Sequence, residues 1–179
     1  MTTAERMKQF REILAGYRER NPKEYEGLEL SLLTIGFFEC PASIKHHGAY
    51  EGGLFDHSFT VAKCLRSLTD RLELKWQSKE SPEIVGMLHD ICKCVKYKKN
   101  SSGIYEYIEN APEGHGDLSV EMLTDKIVLT TEEKESIYWH MGAFTDAEQW
   151  PEYTAAIQKY PNVLWTHTAD MMTSQILKV

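Results

Sequence analysis

The chain has 179 residues and a formal net charge of −7 at neutral pH. That length suffices for one domain with a real core, and the sign of the charge disfavours a surface that attracts long nucleic-acid polyanions. Bound divalent cations would reverse the sign locally, so the balance weakens a nucleic-acid role without removing it. No apolar run has the length of a membrane span, and the charged start Met1–Arg6 lacks the apolar core of a signal peptide. A cytoplasmic protein without membrane attachment is therefore expected, with Cys40, Cys64, Cys92 and Cys94 reduced. Cys92 and Cys94 are expected to serve helix packing rather than redox or metal chemistry.

Neither an internal repeat nor a low-complexity linker interrupts the chain, which reads as one domain over 1–179. Residues 1–40 form helices packing on a core at 41–179. Met7, Phe10, Ile13, Leu14 and Tyr17 recur at helical spacing, predicting an amphipathic helix over 3–20. Asn21-Pro22 restarts the chain as a cap followed by proline, and the apolar run 28–38 predicts a buried helix stopped by Cys40-Pro41. Three glycines in 48–53 indicate a shaped loop. A long helix follows over 54–74, and its apolar stripe of Leu54, Val61, Leu65, Leu68 and Leu72 includes His57.

Ser81-Pro82 starts another helix, with Ile84, Val85, Leu88 and Ile91 facing inward and His89-Asp90 inside an apolar stretch over 84–95. Residues 95–107 alternate around a turn at 100–103 and predict a small hairpin. Helices are expected over 116–126, 131–141 and 162–178, the second with Thr131 at its start, and a short one lies within 146–160. The fold class is all-α with one minor β-hairpin.

Six residues carry the chemistry: His57, His89, Asp90, His115, His140 and Asp170. Imidazole nitrogens and carboxylate oxygens together suit borderline divalent metals. A single buried histidine is more often a core residue bonded to a carbonyl, because its ring nitrogens need partners. The adjacent His89-Asp90 changes that balance. Lys93 shares their face, either as a salt-bridge partner of Asp90 or as a cation for a phosphoryl oxygen. His115 lies between Gly114 and Gly116, which permit close backbone approach and unusual torsions. His140 ends a helix, where a bond to the helix terminus is the plainer role. Asp170, one turn after His167, needs a cation or several donors.

The ordered series His57, His89-Asp90, Asp170 resembles the H…HD…D signature of the HD-domain superfamily of metal-dependent phosphohydrolases. Met87-Leu88-His89-Asp90-Ile91-Cys92-Lys93 is similar to that family's LHDIxK core. The segment from Pro41 to His57, with His46-His47-Gly48-Ala49-Tyr50-Glu51-Gly52-Gly53-Leu54, resembles the PAxxxHHAYxGGLxxH stretch of YhaM-type 3′→5′ exoribonucleases. Gly114-His115-Gly116 and Trp139-His140-Met141-Gly142 are similar to that group's GH and HHG segments. The resemblance spans about 41–174. That group carries an additional nucleic-acid-binding OB-fold, whereas 1–40 here read as helical, and Trp139 stands where a second histidine is expected.

The resemblance implies an HD helical bundle holding one or two divalent transition metals (Mn, Fe, Ni, Co or Zn). His57, His89, Asp90 and Asp170 would hold the first ion. Asp90 would bridge to a second, completed by His115 and His140. Asp90 and Lys93 would be the catalytic residues, with Lys45, His46, His47 and Tyr50 near the substrate phosphate. Trp139, Trp150, Trp165 and Tyr50 could stack on a base, although core packing is the better expectation for each. The expected activity is hydrolysis of a nucleotide or other small phosphate ester. Trimming of short RNA or DNA stands second, and a di-iron oxygenase or a non-catalytic binding module are the remaining classes.

Overall fold

A computed structural model describes residues 1–179. Nine α-helices surround the centre of the molecule, with one two-stranded hairpin at its edge. The first is α1 (Thr3–Ile13), capped by Thr2, whose hydroxyl accepts from the Glu5 amide while the Glu5 carboxylate accepts from the Thr2 amide. The expected single opening helix breaks at Leu14, so α2 (Ala15–Arg20) is a separate short element. The break turns Phe10, Leu14 and Tyr17 together into the core.

Proline at its first turn starts α3 (Pro22–Thr34) as the Asn21-Pro22 pair predicts. The apolar run 28–38 does not form one buried helix. Thr34 ends α3, Gly36 adopts φ +75°, and Leu30 and Leu33 face solvent. The turn delivers Phe37 and Phe38 to an aromatic cluster with Phe10, Tyr25 and Phe55, whose ring centroids lie 5.4–6.1 Å apart. Such pairs contribute about 0.5–1.5 kcal/mol each beyond their buried area.

The long helix α4 (Gly53–Leu72) packs along α5 (Ser81–Leu88). A Cβ at Gly86 would stand 2.3 Å from the Ala62 Cα, so only glycine permits this approach. After α5 come a 3₁₀ turn (Ile91–Val95) and the hairpin of β1 (Tyr97–Lys99) with β2 (Tyr105–Tyr107). The strands are antiparallel, with Tyr97 opposite Tyr107 and Lys98 opposite Glu106. Asn100 holds the turn by accepting from the Ser102 and Ile104 amides.

The remaining helices are α6 (Gly116–Leu123), α7 (Thr131–Tyr138), α8 (Trp150–Lys159) and α9 (Asn162–Met171). Helix α7 begins at Thr131 as expected, and the residue before it, Thr130, stands three before Glu133 and completes a capping box. The last predicted helix changes character after Met171, and Met172–Leu177 is a π-helical segment. Helices α4, α5, α7 and α9 pack on one another around the centre of the molecule. No helix is long and apolar enough to cross a membrane.

Candidate metal centre and cleft

Two of the histidines owe their placement to helix endings. The expectation that His89-Asp90 sits within a continuous helix is corrected: α5 stops at Leu88, and the pair occupies the turn before the 3₁₀ segment. The carbonyls at a helix C-terminus lack internal partners. His89 Nδ1 lies 2.9 Å from the Gly86 carbonyl, and His140, just past α7, repeats the arrangement with the Ile137 carbonyl at 2.6 Å. The terminal interaction expected of His140 is therefore present, and its other ring nitrogen remains free for the site. His57 Nδ1 lies 2.9 Å from the main-chain oxygen of Val179, which likewise only accepts.

A carbonyl oxygen only accepts, so each of these Nδ1 atoms carries the proton. In the neutral ring, Nε2 is then a bare lone pair. His57 Nε2, His89 Nε2, His140 Nε2 and Asp90 Oδ1 are all buried without a hydrogen-bond partner. They converge on two carboxylates. Asp90 Oδ2 lies 3.4 Å from His89 Nε2 and 3.7 Å from His57 Nε2, while Asp90 Oδ1 lies 3.0 Å from His115 Nε2 and 3.4 Å from His140 Nε2. Asp170 Oδ1 lies 3.1 Å from His57 Nε2.

Lone pairs facing carboxylate oxygens repel unless a cation lies between them or the rings are protonated. Three sets of donor atoms fall within 4.8 Å of one another: His57-His89-Asp90, His89-His140-Asp170 and Asp90-His115-His140. The fixed Nδ1 protons also match how ligating histidines are oriented from behind. The donor set thus fits divalent metal.

Burial alone would raise the Asp90 carboxyl, but Lys93 at 2.5 Å, His89 and His115 outweigh it and hold it well below the usual carboxylate range. Asp170 is held down in the same way, burial being outweighed by His57 and His89. Burial lowers His89 and His115, favouring the neutral, ligating form. His140 moves the other way, because Asp90 overrides its burial. Burial opposes the Lys93 charge, yet Asp90 raises its pKa.

The expectation for His115 rests on its glycines, and both are needed. Gly114 has φ +92°, and a Cβ on Gly116 would stand 2.0 Å from the Tyr138 carbonyl, where α6 abuts α7. Cys92 is buried as expected, with its Sγ 3.4 Å from His115 Nδ1. Packing and placement beside the site go together there.

Asp90, Lys93, His115 and Asp170 open on a cleft of about 1220 Å³. Lys45, His46, His47 and Tyr50 line its wall, the first two and Tyr50 exposed and His47 with its ring 5.0 Å from that of His57. Burial, with His57 and the Lys93 ammonium nearby, pushes His47 down to about 4. Trp139 does not reach the cleft. It packs on Tyr153 and Val163 and donates to Glu135.

The HD domain family matches residues 54–169, more than half of the chain. The chain belongs to the HD domain family. Asp170 is the next residue after the matched range of this HD chain. A dihydroneopterin 2′,3′-cyclic phosphate phosphodiesterase of Methanocaldococcus jannaschii is 32% identical over 89 residues, covering 48% of the chain and 36% of that protein. The chain thus matches about a third of the length of this curated relative. No solved structure matches.

Sequence reasoning missed five residues at the HD site. Arg6 in α1 pairs with Asp56 at 3.1 Å and donates to the Glu51 and Phe38 carbonyls, tying α1 to the glycine loop. Its i,i+50 partner has no local signal. His167 Nδ1 lies 2.9 Å from the His140 carbonyl and its ring covers Gly142, securing the turn that carries His140. Tyr97, Tyr107 and Phe144 line the cleft; the two tyrosines read in the sequence only as hairpin residues, and Phe144 falls between two predicted helices.

Proposed function

We propose that this HD protein is a metal-dependent phosphohydrolase acting on a nucleotide or similar small phosphate ester. The observation that supports it most is the convergence of three unpartnered, buried Nε2 atoms on the Asp90 carboxylate. In this reading His57, His89, Asp90 and Asp170 would hold one ion, and Asp90 with His115 and His140 would hold a second. Bound divalent ions lower the pKa of a water and polarise phosphoryl oxygens.

The protein's own groups do the rest. Lys93, beside Asp90 and open to the cleft, offsets phosphoryl charge. Asp90, kept ionised by Lys93 and the histidines, is the carboxylate around which the reacting centre is built. Lys45, His46, His47 and Tyr50 orient the phosphate from the cleft wall. The relative named for a cyclic phosphate diester makes ring opening of a 2′,3′-cyclic phosphate the first reaction to try. A small ester is preferred over a polymer because the net charge is −7.

The same reading takes 1–179 as one HD unit, with 1–40 as its cover, supported by a core running from Phe10 and Tyr25 to Ala169. Four unpaired cysteines suit a reducing compartment, and the cytoplasm is the proposed location. The test offers Mn²⁺-supplemented protein 2′,3′-cyclic nucleotides, mononucleotides and a labelled oligonucleotide. Metal-dependent turnover of the small esters is expected. Oligonucleotide shortening without small-ester turnover, or oxygen-dependent chemistry with bound iron, would contradict the proposal.

A further inference from the structure

We infer that the β-hairpin and the turn after α7 form an aromatic subsite that binds the planar heterocycle of a nucleoside phosphate beside the metal centre. The inference deepens the phosphohydrolase reading by naming the part of the substrate remote from phosphorus. Tyr97 and Tyr107 are direct cross-strand partners with ring centroids 5.2 Å apart, edge to face. Both line the cleft that contains Asp90, Lys93 and His115. Tyr107 keeps 65% of its surface exposed, and Phe144, on a different segment lining the same cleft, keeps 64%.

Two large aromatic side chains left open on one cleft are poorly explained by packing, since neither belongs to a core cluster. Aromatic faces stack on any nucleobase without needing a hydrogen-bond code. Tyr97 is half-buried and packs against the main core, so it fixes the edge against which Tyr107 rests. The exposed ammonium groups of Lys45 and Lys178 line the same cleft and suit the phosphate that the heterocycle carries. The hairpin thus acts as a selectivity element, and the metal cluster supplies the chemistry.

The test uses ligands without phosphate, so that turnover does not intervene. Adenosine and ribose are titrated calorimetrically into the full chain, its Tyr107→Ala and Phe144→Ala variants, and Tyr107→Phe. Adenosine should bind at least about tenfold more tightly than ribose, in keeping with one base–aromatic stack. Each alanine variant should lose about tenfold in adenosine affinity, and Tyr107→Phe should restore it because the ring face is what matters. Adenosine binding no better than ribose, or alanine variants binding like the parent, would overturn the inference. Adenosine selectivity in a protein that hydrolyses no phosphate ester would leave the subsite standing and remove the hydrolase reading. Ester hydrolysis without adenosine selectivity would do the reverse.

Discussion

Asp90 faces histidines with both oxygens, so its replacement separates charge from shape. Asp90→Asn keeps the size of the side chain but presents an amide nitrogen that cannot ligate. Ester hydrolysis should fall by at least about a hundredfold, measured as initial rates at saturating Mn²⁺. Lys93→Ala should behave differently. It removes the cation beside Asp90 without removing a ligand, so metal content should persist while turnover drops by about 10²–10³. Equal loss of metal in both variants would show that Lys93 serves the centre's integrity rather than the phosphoryl group.

Tyr25 offers a test away from the site. Its ring, carried by α3, is buried and stacks on Phe10, and its hydroxyl has no partner. Burial raises its pKa from 10 to about 12. Between those values the unfolded chain has lost the proton and the folded chain keeps it, so stability is full below pH 10 and is lost as pH rises toward 12. Tyr25→Phe should flatten this alkaline slope. At neutral pH it should be neutral or stabilising by about 1 kcal/mol, because an unsatisfied buried group is removed. Denaturant midpoints across the pH range measure both.

At the scale of elements, the close crossing of α4 and α5 sets the separation of His57 from His89. Gly86→Val would drive a side chain into the Ala62 backbone, which already lies 2.3 Å from a single added Cβ. Destabilisation of about 2–3 kcal/mol is expected from overpacking, readable by thermal melting. The helix starts were legible where a proline marks the first turn, as at Asn21-Pro22 and Ser81-Pro82. The helix ends were not. His89 and His140 continue an apolar pattern in sequence, but the rings fold back onto the carbonyls of the preceding turn and terminate the helix. Periodicity cannot report that exchange of a backbone donor for a side-chain donor.

Across the whole molecule, the six ligating candidates were legible because their residue types and order persist whatever the helix boundaries do. The cleft opposite them was only half legible. Lys45, His46, His47 and Tyr50 sit in a glycine-marked loop, whereas Tyr107 and Phe144 reach the cleft through tertiary placement alone. Arg6 was invisible for the same reason: its pairing with Asp56 spans fifty positions. Because that pair is nearly buried, Arg6→Ala should cost about 3 kcal/mol by leaving a carboxylate unpaired. The most direct measurement is metal content per chain, by elemental analysis after equilibrium dialysis against Mn²⁺, for the parent protein and Asp90→Asn. One or two ions in the parent and none in the variant are predicted, whereas an empty parent or a variant that binds equally would contradict the metal centre.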